Sequence, residues 1–216
     1  MTNSARKITL VGMFSAVAVI LSLLGKLVPS VAGFLDYDPK DIIIVICGFM
    51  LGPFYAVAVT VVASFVEFVT FSSSGIIGLL MNILSSLSFA LVPSLVYKWK
   101  RTLKTAIIGL MVGVVFMTGA MVLWNYLVTP VYMHVPREVV AGMLPTVFLP
   151  FNLVKGTVNA AFTVVLYKPL VKALRKISII DERTKRSKPI SVAKLEARTP
   201  KKIIRINLNE YINGKH

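Results

Sequence analysis

Charged residues are scarce in this chain. They make up 15% of its 216 residues, and 56% of the residues are hydrophobic, whereas about a quarter of an average soluble domain is charged. Acids are rarest: nine Asp and Glu stand against 24 Lys and Arg, for a formal net charge of +15. This composition excludes a water-soluble enzyme core, a disordered protein and a nucleic-acid-binding domain with a basic face. It predicts an integral membrane protein.

The residues that usually carry catalysis are also few. The single Cys47 lies in an apolar run, so no intramolecular disulfide can form. With only His134 and His216, a zinc helix and a Ser-His-Asp triad are poorly supported. The Asp-rich segment 36–41 lacks the glycine and closing glutamate of a calcium loop. No phosphate-binding loop is present, so the chain is not its own ATPase. We therefore expect binding or transport, without a cofactor or metal, rather than an enzyme.

Long apolar runs occupy most of the sequence. A bilayer-spanning helix needs about 20 mostly apolar residues. Five runs meet this requirement, at residues 8–28, 53–71, 76–97, 105–128 and 146–167. A sixth run, residues 41–51, is too short to cross a bilayer straight and is predicted to be a short second helix. The predicted fold class is an all-α integral membrane protein, a bundle of six transmembrane helices with a short helix 2.

The placement of Lys and Arg predicts the topology. Basic residues precede helix 1, fill the connection 98–104 and follow helix 6, while the other connections carry few. Lys and Arg accumulate on the cytoplasmic side of membrane proteins. Six helices put all three basic clusters on one side, and five would not. Both termini are therefore predicted to be cytoplasmic, in a multi-pass protein of the bacterial plasma membrane.

The end of the chain differs from the rest. Residues 177–216 are polar and hold ten of the 24 basic residues. We predict a flexible cytoplasmic tail that is attracted to anionic lipid, following a transmembrane substrate-binding domain over residues 1–176. No motif in the tail specifies docking to a partner or to nucleic acid, and no nucleic-acid partner is predicted.

The last predicted span carries a stripe of polar residues. Asn152, Lys155 and Asn159 follow each other at i, i+3 and i+7, which places them on one face of a helix. Polar and ionisable groups inside a transmembrane bundle are expensive and often mark a substrate route. The alternative is that the asparagines only form hydrogen bonds between helices.

Other spans carry isolated polar residues, among them Glu67, Asn82 and Asn125. In the predicted orientation Glu67 and Asn125 lie in the outer half of the bundle, as do Asn152 and Lys155. The short helix 2 and the connection before it open on the same side. Irregular backbone is tolerated at this depth only where it is buried or lines a cavity. We therefore expect one polar cavity, open to the outside and covered by that connection. A structural ion pair between Glu67 and Lys155 is the alternative.

The chemistry of this cavity suits a neutral ring compound. Carboxamides offer both donors and acceptors, which match a planar heterocycle with alternating carbonyl and N–H groups. The absence of a Lys or Arg cluster disfavours a phosphorylated ligand. Nearby aromatic residues are candidates either to stack on the ring or to form an interfacial belt. They are Phe34, Tyr37, Trp124, Tyr126, Phe148 and Phe151.

Five segments occur in an order that is specific in combination: FLDYDPKD, GFMLGP, SSSGIIGLLMN, NYLVTPVY and LPFNLVKG. Over residues 8–176 the chain resembles the riboflavin-binding S components of energy-coupling factor (ECF) transporters. The resemblance implies capture of riboflavin from outside, contacts from two asparagines and a lysine to the flavin ring, and closure of the loop 35–38 over it. The predicted substrate-binding residues are Leu35, Tyr37, Asp38, Glu67, Asn125, Asn152 and Lys155.

The same resemblance implies partners. These are an ECF transmembrane coupling subunit and two cytoplasmic ATPases that supply the energy. Small residues on helix 1 would dock the coupling subunit, and the matching pair here is Gly12 and Ala16, where two alanines are more usual. Competing hypotheses are an S component for another vitamin or a queuosine-type precursor, a membrane-embedded enzyme, and an assembly subunit.

Overall fold

A computed structural model describes residues 3–31, 33, 35–72 and 74–186 of the chain. Phe34 and most of the predicted tail, residues 187–216, lie outside the described residues. The chain divides into two units, of which the first, Met1–Val171, contains the features described below.

The described residues form helices without a strand. They are α1 (Asn3–Gly25), α2 (Lys40–Leu51), α3 (Pro53–Thr70), α4 (Gly75–Trp99), α5 (Leu103–Met133), α6 (Arg137–Met143) and α7 (Leu149–Arg186). A π-helix, Leu144–Phe148, joins α6 to α7 without a break, so these three segments count as one of six helical units. Five units are long and apolar enough to cross a membrane, and α2 is not among them. The prediction of an all-α bundle of six helices with a short second helix is confirmed.

Helix α5 and the last span both extend into the connection that the sequence predicts between them. Helix α5 continues through Pro130 and ends at Met133. The next residue, His134, has a φ of 54° in the left-handed region, and its backbone N–H donates to the Pro130 carbonyl. The last span begins at Arg137, where the sequence suggested a connection, because α6 and the π-helix precede α7. The connection between α5 and the last span is therefore much shorter than predicted.

Helix α2 lies in the centre of the bundle. All residues from Lys40 to Phe49 are buried, and α2 packs against α1, α3 and α4. Twelve residues rise only about 18 Å, which is less than the roughly 30 Å of a hydrocarbon core. The first turn of α2 and the segment before it therefore lie inside the bundle, below its outer rim. A single residue, Gly52 with a φ of 109°, links α2 to α3.

One end of the bundle carries basic and aromatic residues. Lys7 of α1 lies over the ring of Tyr55 of α3, 5.7 Å from its centroid. Phe49 of α2, Tyr97 of α4 and Tyr167 of α7 form an aromatic cluster at the same end, with the two tyrosine hydroxyls in contact. The basic N-terminus and the 98–104 connection thus share one end of the bundle, as the charge pattern requires.

Helices α4 and α5 approach each other closely through glycines. A Cβ atom added at Gly109 would lie 2.8 Å from Cα of Pro93, and one added at Gly113 would lie 2.8 Å from the carbonyl oxygen of Phe89. Real Cβ contacts are never this short, so only glycine permits this helix spacing. Small residues at helix interfaces serve the same purpose in membrane proteins generally.

We predict that Gly113→Val destabilises the bundle by about 1–3 kcal/mol, the usual range for overpacking a tightly packed site. Gly119→Val on the same helix is the matched control, because a Cβ atom there meets nothing within 4 Å. Thermal unfolding in detergent measures both variants, and equal midpoints would contradict the predicted packing.

Candidate functional site

A cavity of about 100 Å³ lies at the end of the bundle opposite the aromatic cluster. Helices α1, α3, α4, α5 and α7 and the connection between α1 and α2 contribute to its wall. The structure brings together in this wall all seven residues predicted from the sequence to bind substrate. They are Leu35, Tyr37, Asp38, Glu67, Asn125, Asn152 and Lys155.

The asparagines present part of their hydrogen-bonding capacity to the cavity. Nδ2 of Asn152 donates to the Phe148 carbonyl at 2.8 Å, within its own helix. Nδ2 of Asn125 donates to the Met121 carbonyl at 2.7 Å, and its Oδ1 accepts from Thr129 at 2.9 Å. A carboxamide carries two N–H donors, so these helical contacts use one donor of each asparagine. They also fix the rotamers, which orients the remaining donors.

Lys155 is buried beside the cavity. Its exposure is 8%, and among the described residues its ammonium group forms no hydrogen bond or ion pair. The charges that act on it belong to Asp38 and Asp41. A buried ammonium that keeps its N–H groups unpaired is the feature of this cavity that most needs a ligand or water.

Lys40 was not predicted from the sequence to belong to the site. It is 0% exposed, donates hydrogen bonds to Glu67 and to Oδ1 of Asn82, the latter at 2.7 Å, and forms an ion pair with Oδ2 of Asp38 at 2.6 Å. Glu67 therefore pairs with Lys40 and not with Lys155. One signal in the sequence pointed to this: a lysine that begins a helix too short to span must lie at depth.

Asn159 holds the segment before α2 against α7. Its Oδ1 accepts from the Tyr37 hydroxyl at 2.8 Å, and its Nδ2 donates to the Asp38 carbonyl at 3.0 Å and lies 3.5 Å from Oδ2 of Asp41. The other Asp41 oxygen accepts from Ser86 of α4 at 2.5 Å. Asn159 is thus a structural residue that links α7 to the floor of the cavity.

The electrostatics of Asp38 follow from these neighbours. Burial alone would raise the pKa of its carboxyl group, but the ammonium groups of Lys40 and Lys155 outweigh burial and hold the pKa below its ordinary value. Its Oδ1 also accepts the backbone N–H of Lys40 at 3.1 Å, which satisfies a donor at the start of α2. Asp38 is therefore a carboxylate at neutral pH.

The connection between α1 and α2 covers the cavity. Leu35 packs with Val140 and Phe148 of the α6–π-helix segment in a small hydrophobic cluster. Beside it, Lys26 and Asp36 form a partly exposed ion pair at 3.1 Å. These contacts hold the outer part of the connection, and the Lys40 and Asn159 contacts hold its inner part.

The remaining candidates lie in different places. Tyr37 and Phe151 line the cavity, whereas Tyr126 lies on the surface under the guanidinium of Arg137, 5.5 Å from its ring centroid. Trp124 does not line the cavity either. Gly12 and Ala16 are exposed on the outer face of α1.

Comparison with known proteins gives consistent matches. A family model described as "ECF transporter, substrate-specific component" matches residues 6–171. The riboflavin transporter RibU of Staphylococcus aureus is 30% identical over 183 residues, 82% of this chain and 96% of that protein. The riboflavin transporter FmnP of Bacillus subtilis is 28% identical over 191 residues, 81% and 98% of the two chains.

A solved structure is similar in fold. It is described as the S component of a bacterial ECF transporter and superposes with a TM-score of 0.69 at 27% sequence identity. The match covers 80% of this chain and 99% of that one.

We predict that Asn159→Leu loosens the segment before α2, since it leaves the Tyr37 hydroxyl and the Asp38 carbonyl without their partner in a buried place. Hydrogen–deuterium exchange of residues 35–41 should accelerate about tenfold, which corresponds to roughly 1.4 kcal/mol of local stability. Thr157→Leu, at an exposed position of the same helix, should leave the exchange unchanged. Equal exchange in both variants would show that Asn159 does not hold this segment.

Proposed function

Because the chain belongs to the family of substrate-specific components of ECF transporters, we propose that it is the subunit that binds riboflavin from outside and mediates its uptake. The family membership confirms the resemblance drawn from the sequence. The chain is a transporter component and not an enzyme, and it is a multi-pass protein of a bacterial membrane.

The observation that carries the proposal is the juxtaposition, in a single cavity, of Asn125, Asn152 and Lys155, a lysine with no direct partner among the described residues. The pyrimidine side of a flavin alternates carbonyl oxygens with an N–H group. Asn125 and Asn152 supply carboxamide donors and acceptors for this edge, and Lys155 supplies a charged donor to a carbonyl oxygen. Tyr37 and Phe151 lie on the same wall and offer rings for stacking.

The size of the cavity indicates how riboflavin gains access. Pockets for ligands of this class usually enclose about 300–1,000 Å³, whereas this one has about 100 Å³. Binding therefore requires that part of the wall moves. We infer that the outer part of the covering connection moves, because the contacts that hold it are weak. They are an exposed ion pair and one small hydrophobic cluster.

The energy for uptake comes from other subunits. The chain lacks a phosphate-binding loop, and membership of this family implies assembly with the ECF transmembrane coupling subunit and two ATPases. We propose that the coupling subunit docks on α1 at Gly12 and Ala16, where a Cβ atom added at Gly12 meets nothing within 4 Å. Close approach of two helices needs such small residues. We further propose residues 1–176 as the substrate-binding domain and residues 177–216 as a lipid-attracted tail.

A second candidate function is uptake of another vitamin by the same fold. A panel of vitamins titrated against the purified protein distinguishes the two candidates. Tightest binding of riboflavin supports the first candidate.

We predict that Lys155→Met weakens riboflavin binding by about 10–100-fold, because a hydrogen bond to a charged group contributes roughly 1.5–3 kcal/mol. Asn152→Leu should weaken it by about tenfold. Quenching of riboflavin fluorescence on titration with purified protein measures both. Thr157→Leu should bind as the wild type does. Unchanged affinity in Lys155→Met and Asn152→Leu would remove these residues from the site.

We predict that Gly12→Trp and Ala16→Trp reduce copurification with the coupling subunit and leave riboflavin affinity unchanged, since both residues lie outside the cavity. Val17→Trp is the control, at the next exposed position around the helix. Coexpression with the coupling module and affinity purification measure the assembly. Equal yields of complex for all three variants would place the docking surface elsewhere.

A further inference from the structure

We propose that Lys40 is a positioning residue for riboflavin binding: it fixes the cavity's carboxylates and thereby keeps Lys155 available to the substrate. The inference rests on the proposed function. Lys40 itself does not line the cavity, and it has no exposed surface. It acts only through the groups that it holds.

The ammonium of Lys40 is saturated. An ammonium carries three N–H groups, and three oxygens surround this one, from Asp38, Glu67 and Asn82. They belong to three separate parts of the chain: the covering connection, α3 and α4. All three residues line the cavity. A single buried cation therefore sets the positions of three groups in the cavity wall.

Lys155, the second buried lysine, differs from Lys40 in its hydrogen bonds. Lys155 has no hydrogen bond or ion pair among the described residues, although Asp38 and Asp41 act on it electrostatically. Asp38 is engaged by Lys40, and Asp41 by Ser86 and Asn159. Because these carboxylates already have partners, the Lys155 ammonium is left for a ligand.

The charges around Lys40 indicate what happens to Lys155 when the Lys40 ammonium is removed. Asp38 faces it from the connection, Asp41 from α2 itself and Glu67 from α3, while α4 contributes the neutral Asn82. From α7, Lys155 acts on Asp38 and Asp41. Without Lys40, three carboxylates share one ammonium, that of Lys155. The attraction draws Lys155 away from the substrate and into an internal ion pair.

The experiment is a riboflavin titration at two pH values. Lys40→Met should weaken binding by about tenfold or more near pH 7.5. Acidification to about pH 5 should recover much of the loss relative to wild type, because burial raises the pKa of carboxyl groups that have lost their neighbouring cation. Lys40→Met combined with Glu67→Gln should also recover part of it at the higher pH, because one uncompensated charge is gone. Lys98→Met, an exposed lysine of α4 at the other end of the bundle, should match the wild type throughout.

The outcomes separate the proposals. Wild-type affinity in Lys40→Met, or a loss that neither acid nor Glu67→Gln reduces, overturns the role of Lys40. If Lys40→Met does not fold, the double variant decides: affinity within about tenfold of wild type supports the role, and no binding overturns it. If the wild type itself does not bind riboflavin, the proposed function fails. The unfolding temperature measured against pH then tests the ionic network around Lys40. If Lys40→Met gains stability relative to wild type on acidification, the role of Lys40 is supported. If the two proteins change in parallel with pH, that role is overturned.

Discussion

A charge buried inside a membrane protein must be paired, and the pairing of Lys40 determines how the outer half of this bundle is built. Helix α2 is too short to reach the outer rim, so its first turn and the preceding segment lie inside the protein. Water is excluded there, and an isolated ammonium would be very unfavourable. Asp38, Glu67 and Asn82 compensate it. The floor of the cavity is therefore an ionic network that joins the connection to α3 and α4.

The two buried lysines, Lys40 and Lys155, therefore have different roles. Lys40 is surrounded by oxygens and gives the site its shape, whereas Lys155 has no direct partner among the described residues and gives the site a donor. The difference arises from position, since Lys40 begins the central helix whereas Lys155 projects from α7 into the cavity. Among the described residues that line the cavity, Lys26 is paired with Asp36 and Lys155 has no direct partner. Such a cavity suits an uncharged ring whose carbonyl oxygens accept hydrogen bonds.

The sequence predicts the spans and most of the cavity wall, because both follow from patterns within single segments. Hydropathy identifies five spans, and the i, i+3 spacing places Asn152 and Lys155 on one face. Lys40 was missed because its partners Glu67 and Asn82 lie 27 and 42 residues away, and their proximity depends on helix packing. The α6–π-helix segment was missed because Pro136, Arg137 and Pro145 are typical of a connection.

The π-helix between α6 and α7 affects which face of α7 meets the cavity. It lies directly before the turn that carries Asn152, and a π-turn accommodates one more residue than an α-turn does. Each residue rotates a helix by about 100°. In an uninterrupted α-helix one additional residue would therefore turn the polar stripe of α7 from the cavity toward lipid, whereas the π-turn holds that residue and leaves the stripe facing the cavity. The length of this short stretch thus sets which face of α7 meets the cavity.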